Sequence, residues 1–156
     1  MPVKTPPLEK IAEAWTALAS DRVLLHDPAD APAGAAEVVS SNGAKTYRLT
    51  WVGNVYASDD SSTIWQKYPG YPVLALLMAR GELPYDPELA ACFRNVDWNA
   101  ANAKAKRNYA EAFKNVCAEL KLSPEIIEKA KSESEKTLEK LKTLDISLRP
   151  YRKKKA

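Results

Sequence analysis

The chain has 156 residues, of which 46% are hydrophobic and 28% charged, and its formal net charge is +3. That is enough apolar material for a real core in one domain with an appendage, and too little net charge for a uniformly basic surface. No stretch approaches the roughly 18 apolar residues of a membrane span, and residues 1–10 hold no apolar signal core, so a cytoplasmic protein, nucleoid included, is expected.

The charge is unevenly laid out. Residues 122–156 carry 10 Lys and Arg against 6 Asp and Glu, whereas residues 1–121 carry 13 against 14. Any basic surface on the main domain must be a local patch. The two cysteines, Cys92 and Cys117, lack metal-ligand spacing and read as buried free thiols.

In chain order, Leu8, Ile11, Ala12, Trp15, Leu18 and Ala19 recur at helical spacing and predict an amphipathic helix to about Ser20. Segments 22–26, 36–40, 45–52 and 55–58 predict an antiparallel meander of about four strands. Its turns fall at Asn42-Gly43 and Gly53-Asn54, which supply positive φ angles. In the third strand Tyr47, Leu49 and Trp51 share a face with Lys45, and Arg48 points the other way.

After Asp60 helices follow: SSTIWQKY, then VLALLMAR from Pro72, then ELAACFRNV capped by Asp86-Pro87, then one long helix from Asp97 to Lys121. Ser123-Pro124-Glu125 starts the last helix. In it Ile127, Ala130, Ser134, Thr137, Leu141, Leu144 and Leu148 form a heptad seam, soft in the middle, that predicts self-association as a coiled coil over 122–148. Residues 149–156 read as a basic tail. The expectation is an α+β fold: a small antiparallel sheet packed with several helices, then a coiled-coil-like helix.

Enzymatic motifs are absent. The one histidine, His26, stands before Asp27 with no Cys or paired carboxylates nearby in sequence, and no nucleotide-loop or nucleophile-elbow pattern occurs. Asp59-Asp60 reads as a turn and helix cap rather than a metal site. Neither a cofactor nor a metal is called for.

What the sequence does offer is rings among cations, above all in NVYASDDSSTIWQKYPGYP, residues 54–72. Aromatic side chains stack on unpaired bases without reading sequence, and nearby Lys and Arg neutralise phosphates and release counterions. Trp51, Tyr56, Trp65, Tyr68 and Tyr71 are the stacking candidates. Lys45, Arg48, Lys67, Arg80 and Arg94 are candidates for phosphates, with Lys104, Lys106 and Arg107 as a second strip. Duplex DNA hides its base faces, so the mixture favours single strands; residue types do not separate DNA from RNA. The alternative is a protein-interaction adaptor, with a peptide in an aromatic groove and a partner on the coiled coil.

The PPLEKIAEAW helix, the β section ending WVGNVYASDD and the zipper-like C-terminal helix together resemble the ThermoDBP family. These are the single-stranded DNA-binding proteins of the archaeal order Thermoproteales. The resemblance is one of overall organisation and covers essentially the whole chain. It implies an α+β domain unrelated to the OB-fold, a cleft with a hydrophobic base and basic flanks, a helical zipper that makes a homodimer, and sequence-tolerant binding of single-stranded DNA. The site residues named above come from ring and cation chemistry, not from the resemblance.

Overall fold

Residues 3–152 are described by the computed structural model. Helix α1 (Lys10–Ala19) leads into strands β1 (Val23–Leu25), β2 (Ala33–Val39), β3 (Thr46–Val52) and β4 (Val55–Ser58). A π-helical turn (Ser62–Gln66) precedes α2 (Tyr71–Ala79), α3 (Pro87–Ala91), α4 (Trp98–Lys104), α5 (Tyr109–Glu119) and α6 (Pro124–Thr143), and β5 (Ser147–Pro150) follows. The fold is α+β, with a five-stranded sheet in the order β1-β2-β3-β4-β5.

The meander forms at the expected turns. Asn42-Gly43 lies in the loop closed by the Ser40 N–H donating to the Lys45 carbonyl (2.8 Å), with Gly43 at φ 75°. Gly53-Asn54 joins the paired residues Val52 and Val55 as a two-residue turn, with Gly53 at φ 57°. The fifth strand was not legible. Leu144 ends α6, and residues 147–150, expected as zipper end and basic tail, pair parallel with β4, Tyr56 opposite Leu148. Extended backbone beside the open edge of β4 satisfies its own N–H and C=O groups there. The rest of the expected tail, residues 153–156, lies outside the described residues.

Alternation along β3 assigns the faces correctly but the helices cover the aromatic one. Leu49 and Trp51 are buried, while Arg48 and Val52 face out. Trp51 lies across Gly34, where a Cβ would come within 2.4 Å of the indole ring. Helix α2, VLALLMA, is buried on nearly every side, as a helix without a polar face must be. Helix α1 is central and touches α2, α3 and α6. Even its polar residues are buried: Thr16 donates to the Ala12 carbonyl and accepts from the Trp98 indole N–H (both 2.9 Å). Around it Trp15, Phe93, Trp98 and Phe113 form an aromatic core, with the Phe93 ring 5.9 Å from Phe113 and 6.4 Å from Trp98.

Two expectations for the helices need correction. The single helix over 97–121 is two. Ala105 ends α4, Lys106 and Arg107 take left-handed φ values of 53° and 64°, and Asn108 caps α5 by accepting from the Glu111 N–H (3.1 Å). An Asn at the cap with Glu three residues on is a helix start in its own right, and it overrides continuation. The second correction concerns the heptad seam. Ala130, Ser134, Thr137 and Leu141 are buried within the chain, where α6 packs on α1, and Ile127 and Leu144 are half-buried. Leu148 belongs to β5, not to the helix. A seam soft enough to hold Ser134 and Thr137 suits close packing on a globular neighbour: Thr137 returns its hydroxyl to the Glu133 carbonyl (2.8 Å). Residues 122–150 are therefore packed into the same core as residues 3–121.

Candidate nucleic-acid interface

The predicted platform is dispersed by folding. Trp51 (0% exposed) and Tyr56 (1%) are core residues, and Tyr68 is buried. Their polar edges are satisfied inside the protein: the Trp51 indole N–H donates to the Ala31 carbonyl (2.8 Å) and the Tyr56 hydroxyl accepts from Arg80. Arg80 is engaged within the chain. Its guanidinium also donates to the Ala29 (2.9 Å) and Ala31 (3.1 Å) carbonyls and lies over the Trp51 ring. Trp51 of β3 and Tyr56 of β4 are opposite each other across the hairpin, and this aromatic pair is drawn in because burying rings removes the most apolar area from water.

Of the five rings only Trp65, 76% exposed, stands free. It lies in the π-helical turn beside Lys67, which ends that turn at φ 62° and donates to the Ile64 carbonyl (2.6 Å). Lys45 is exposed at the first hairpin and Arg48 on the outer face of the sheet. Arg94 donates to the Ala19 carbonyl (2.8 Å) and, with Lys104, lines a shallow groove between α4 and α5.

The remaining three predicted residues, Tyr71, Lys106 and Arg107, do converge. They line a cleft of about 400 Å³ with residues the sequence did not single out for it: Lys10 and Glu13 of α1, Tyr47 of β3, Asp60, Asn99 and Asn102 of α4, and Tyr109 of α5. Each arrives for a local reason. The reversal at Lys106-Arg107 turns the chain back, so that α4 and the first residue of α5 both reach the cleft. Asp60 accepts from the Thr63 N–H (3.1 Å) and hydroxyl (2.8 Å), which caps the π-helical turn as expected. Gly70 is needed beside it, since a Cβ there would fall 2.1 Å from the Asp60 carboxylate.

The floor of the cleft is polar and poorly solvated. Lys10 pairs with Glu13 (3.1 Å), and its ammonium lies 4.2 Å from the centre of the Tyr109 ring. Asn102 donates to the same carboxylate (3.3 Å). Burial raises the Glu13 carboxyl above its ordinary value, with Lys10 opposing the shift. The Tyr47 and Tyr71 rings meet edge to face at 6.1 Å. Burial also pushes the Tyr71 phenol up, the Tyr47 phenol adds to this, and the Arg22 side chain beside the buried hydroxyl opposes it. At the rim, Lys106 and Arg107 are exposed and make no ion pair among the described residues.

Tyr47 was legible as facing the same way as Trp51. Lys10, Glu13 and Tyr109 carried no signal, because a Lys-Glu pair three apart in a helix ordinarily sits in water. A second groove, of about 620 Å³, runs between α5 and α6 and is lined by Leu8, Phe113, Cys117, Leu122 and Ile127. No described helix is long and apolar enough to cross a membrane, and no described cluster of His, Cys, Asp and Glu could hold a metal.

No curated protein and no solved structure matches the chain. The family described as Uncharacterised conserved protein UCP014422 matches residues 3–147, nearly the whole chain, and the protein belongs to that family.

Proposed function

We propose that the protein binds single-stranded DNA, without catalysis, and that the strand lies across the cleft formed by α1, α4, the α4–α5 reversal and the start of α2. The observation that carries this reading is the meeting of three tyrosines with the unpaired cations Lys106 and Arg107 on one concavity. Rings in a cleft can reach a base only when it is unpaired, and cations at the rim meet the phosphates that flank it. Trp65, in the turn that begins at the cleft residue Ser62, offers a second stacking surface outside the cleft. The resemblance to the ThermoDBP family supports the same reading, which places the protein on exposed single strands of the nucleoid.

The test is a tryptophan-fluorescence titration with a poly-pyrimidine single strand and with its duplex, each at two salt concentrations. Tighter binding of the single strand, weakening with salt, is expected. Salt-insensitive or absent binding would overturn the proposal and turn attention to a protein partner.

A further inference from the structure

We infer that the cleft is a discrete pocket for one nucleoside monophosphate unit, taken free or as a single unpaired residue of a strand; this rests on the reading above. Three independent features lead there. The first is size. At about 400 Å³ the cleft falls at the small end of ligand pockets, roughly 300–1,000 Å³. A groove that tracks a strand spans about 4–16 nucleotides, and this cleft has room for one.

The second is the floor. A platform for sequence-tolerant stacking needs only ring faces. Here Tyr71 lines the cleft with its ring, while its hydroxyl is buried beside Arg22. Tyr47 packs against that ring, and Asn102, held by its amide N–H on Glu13, keeps its carbonyl oxygen uncommitted among side-chain hydrogen bonds. Donors and acceptors held in fixed positions are the means by which a site reads the edge of a base.

The third is the rim. Left-handed backbone favours Gly or Asn, and bulky side chains there are uncommon. The reversal nevertheless carries Lys106 and Arg107 in succession. The C-terminal dipole of α4 accounts for one cation; a phosphate at the mouth of the pocket accounts for both, since Arg and Lys together bind its oxygens with charge-assisted hydrogen bonds.

The experiment is isothermal titration calorimetry of the full-length protein with dAMP, dCMP, dGMP and dTMP. The four nucleosides and inorganic phosphate serve as controls, and each monophosphate also competes with a labelled oligonucleotide. At least one monophosphate should bind one to one, about tenfold tighter than its nucleoside, and displace the oligonucleotide. Lys106→Gly and Arg107→Gly, which suit the backbone, should each weaken it several-fold. Asn102→Ala should narrow the difference among the four bases. Oligonucleotide binding that no monophosphate competes for would overturn the pocket and leave strand binding standing. Monophosphate binding without strand binding would do the reverse. Inorganic phosphate binding as tightly as the nucleotides, or no binding of any kind, would sink the inference.

Discussion

The Arg80 guanidinium lies 4.7 Å from the centre of the Trp51 ring and hydrogen-bonds the hydroxyl of Tyr56, so three residues that look like a nucleic-acid platform are partners of one another. The cation is spent on two carbonyls, a phenol and an indole face of its own chain, in part-buried contacts. Arg80→Ala should therefore cost about 1–3 kcal/mol of stability, because it unpairs part-buried acceptors and removes a cation–π contact. Chemical denaturation measures this, and the affinity of the refolded variant for a single strand should match wild type.

Trp51 and Trp65 should part company under the same substitution. Trp51→Ala empties a fully buried site and should cost about 3–5 kcal/mol. Trp65→Ala removes an exposed side chain and should change stability by no more than about 0.5 kcal/mol. If a base stacks on Trp65, its loss should weaken single-strand binding by about 1–3 kcal/mol. Unchanged affinity in a stably folded Trp65→Ala protein would remove that ring from the interface.

Lys106→Gly separates folding from binding in the opposite direction. Glycine takes the left-handed conformation at no steric cost, so stability should hold or rise by up to about 1–2 kcal/mol. The plot of log affinity against log salt should lose about 0.7 of slope for one phosphate contact on a single strand. Stability that falls, or a slope that does not change, would separate this lysine from the role assigned to it.

Glu13 predicts a pH effect. Its pKa in the folded protein is raised above 4.5, chiefly by burial, so between those two values the folded state holds a proton that the unfolded state has lost. Stability should then fall as pH rises through that window. Asp86, lowered from 3.8 mainly by its hydrogen bond from the Leu89 N–H, acts below the window and in the other sense, losing stability as pH falls. Denaturant midpoints across the series should slope down for wild type, and Glu13→Gln should flatten that slope.

Removing residues 122–156 tests whether the C-terminal helix is an appendage. In the structure α6 covers α1 and β5 completes the edge of β4. The truncated chain should fail to give the cooperative thermal transition of the intact protein, since it loses the cover of buried Leu141 and Ile146 as well as a strand. A cooperative, monomeric 1–121 fragment would restore the two-part description.

Much of the local structure was decided by short-range chemistry, and the sequence alone determined it. Asn42-Gly43 and Gly53-Asn54 turn where they should because few residues tolerate positive φ. Asp86 and Ser123 cap α3 and α6 because their side chains reach the free N–H groups of their own first turns. Alternation placed Tyr47, Leu49 and Trp51 on one face of β3, with Arg48 on the other. What alternation leaves open is which face the helices cover, and that choice sent Trp51 and Tyr56 into the core. The heptad seam of α6 shows the same ambiguity: an apolar stripe requires a partner surface but does not name it, and here α1 supplies it from within the chain. The cleft was least legible of all. Lys10, Tyr47, Tyr71 and Arg107 are far apart in sequence, and only the packing of α4 against α1 and the left-handed reversal after α4 bring them together. Turns and caps are bonds between near neighbours, which a sequence displays; a site is a meeting of distant surfaces, and burial of the whole core decides where it falls.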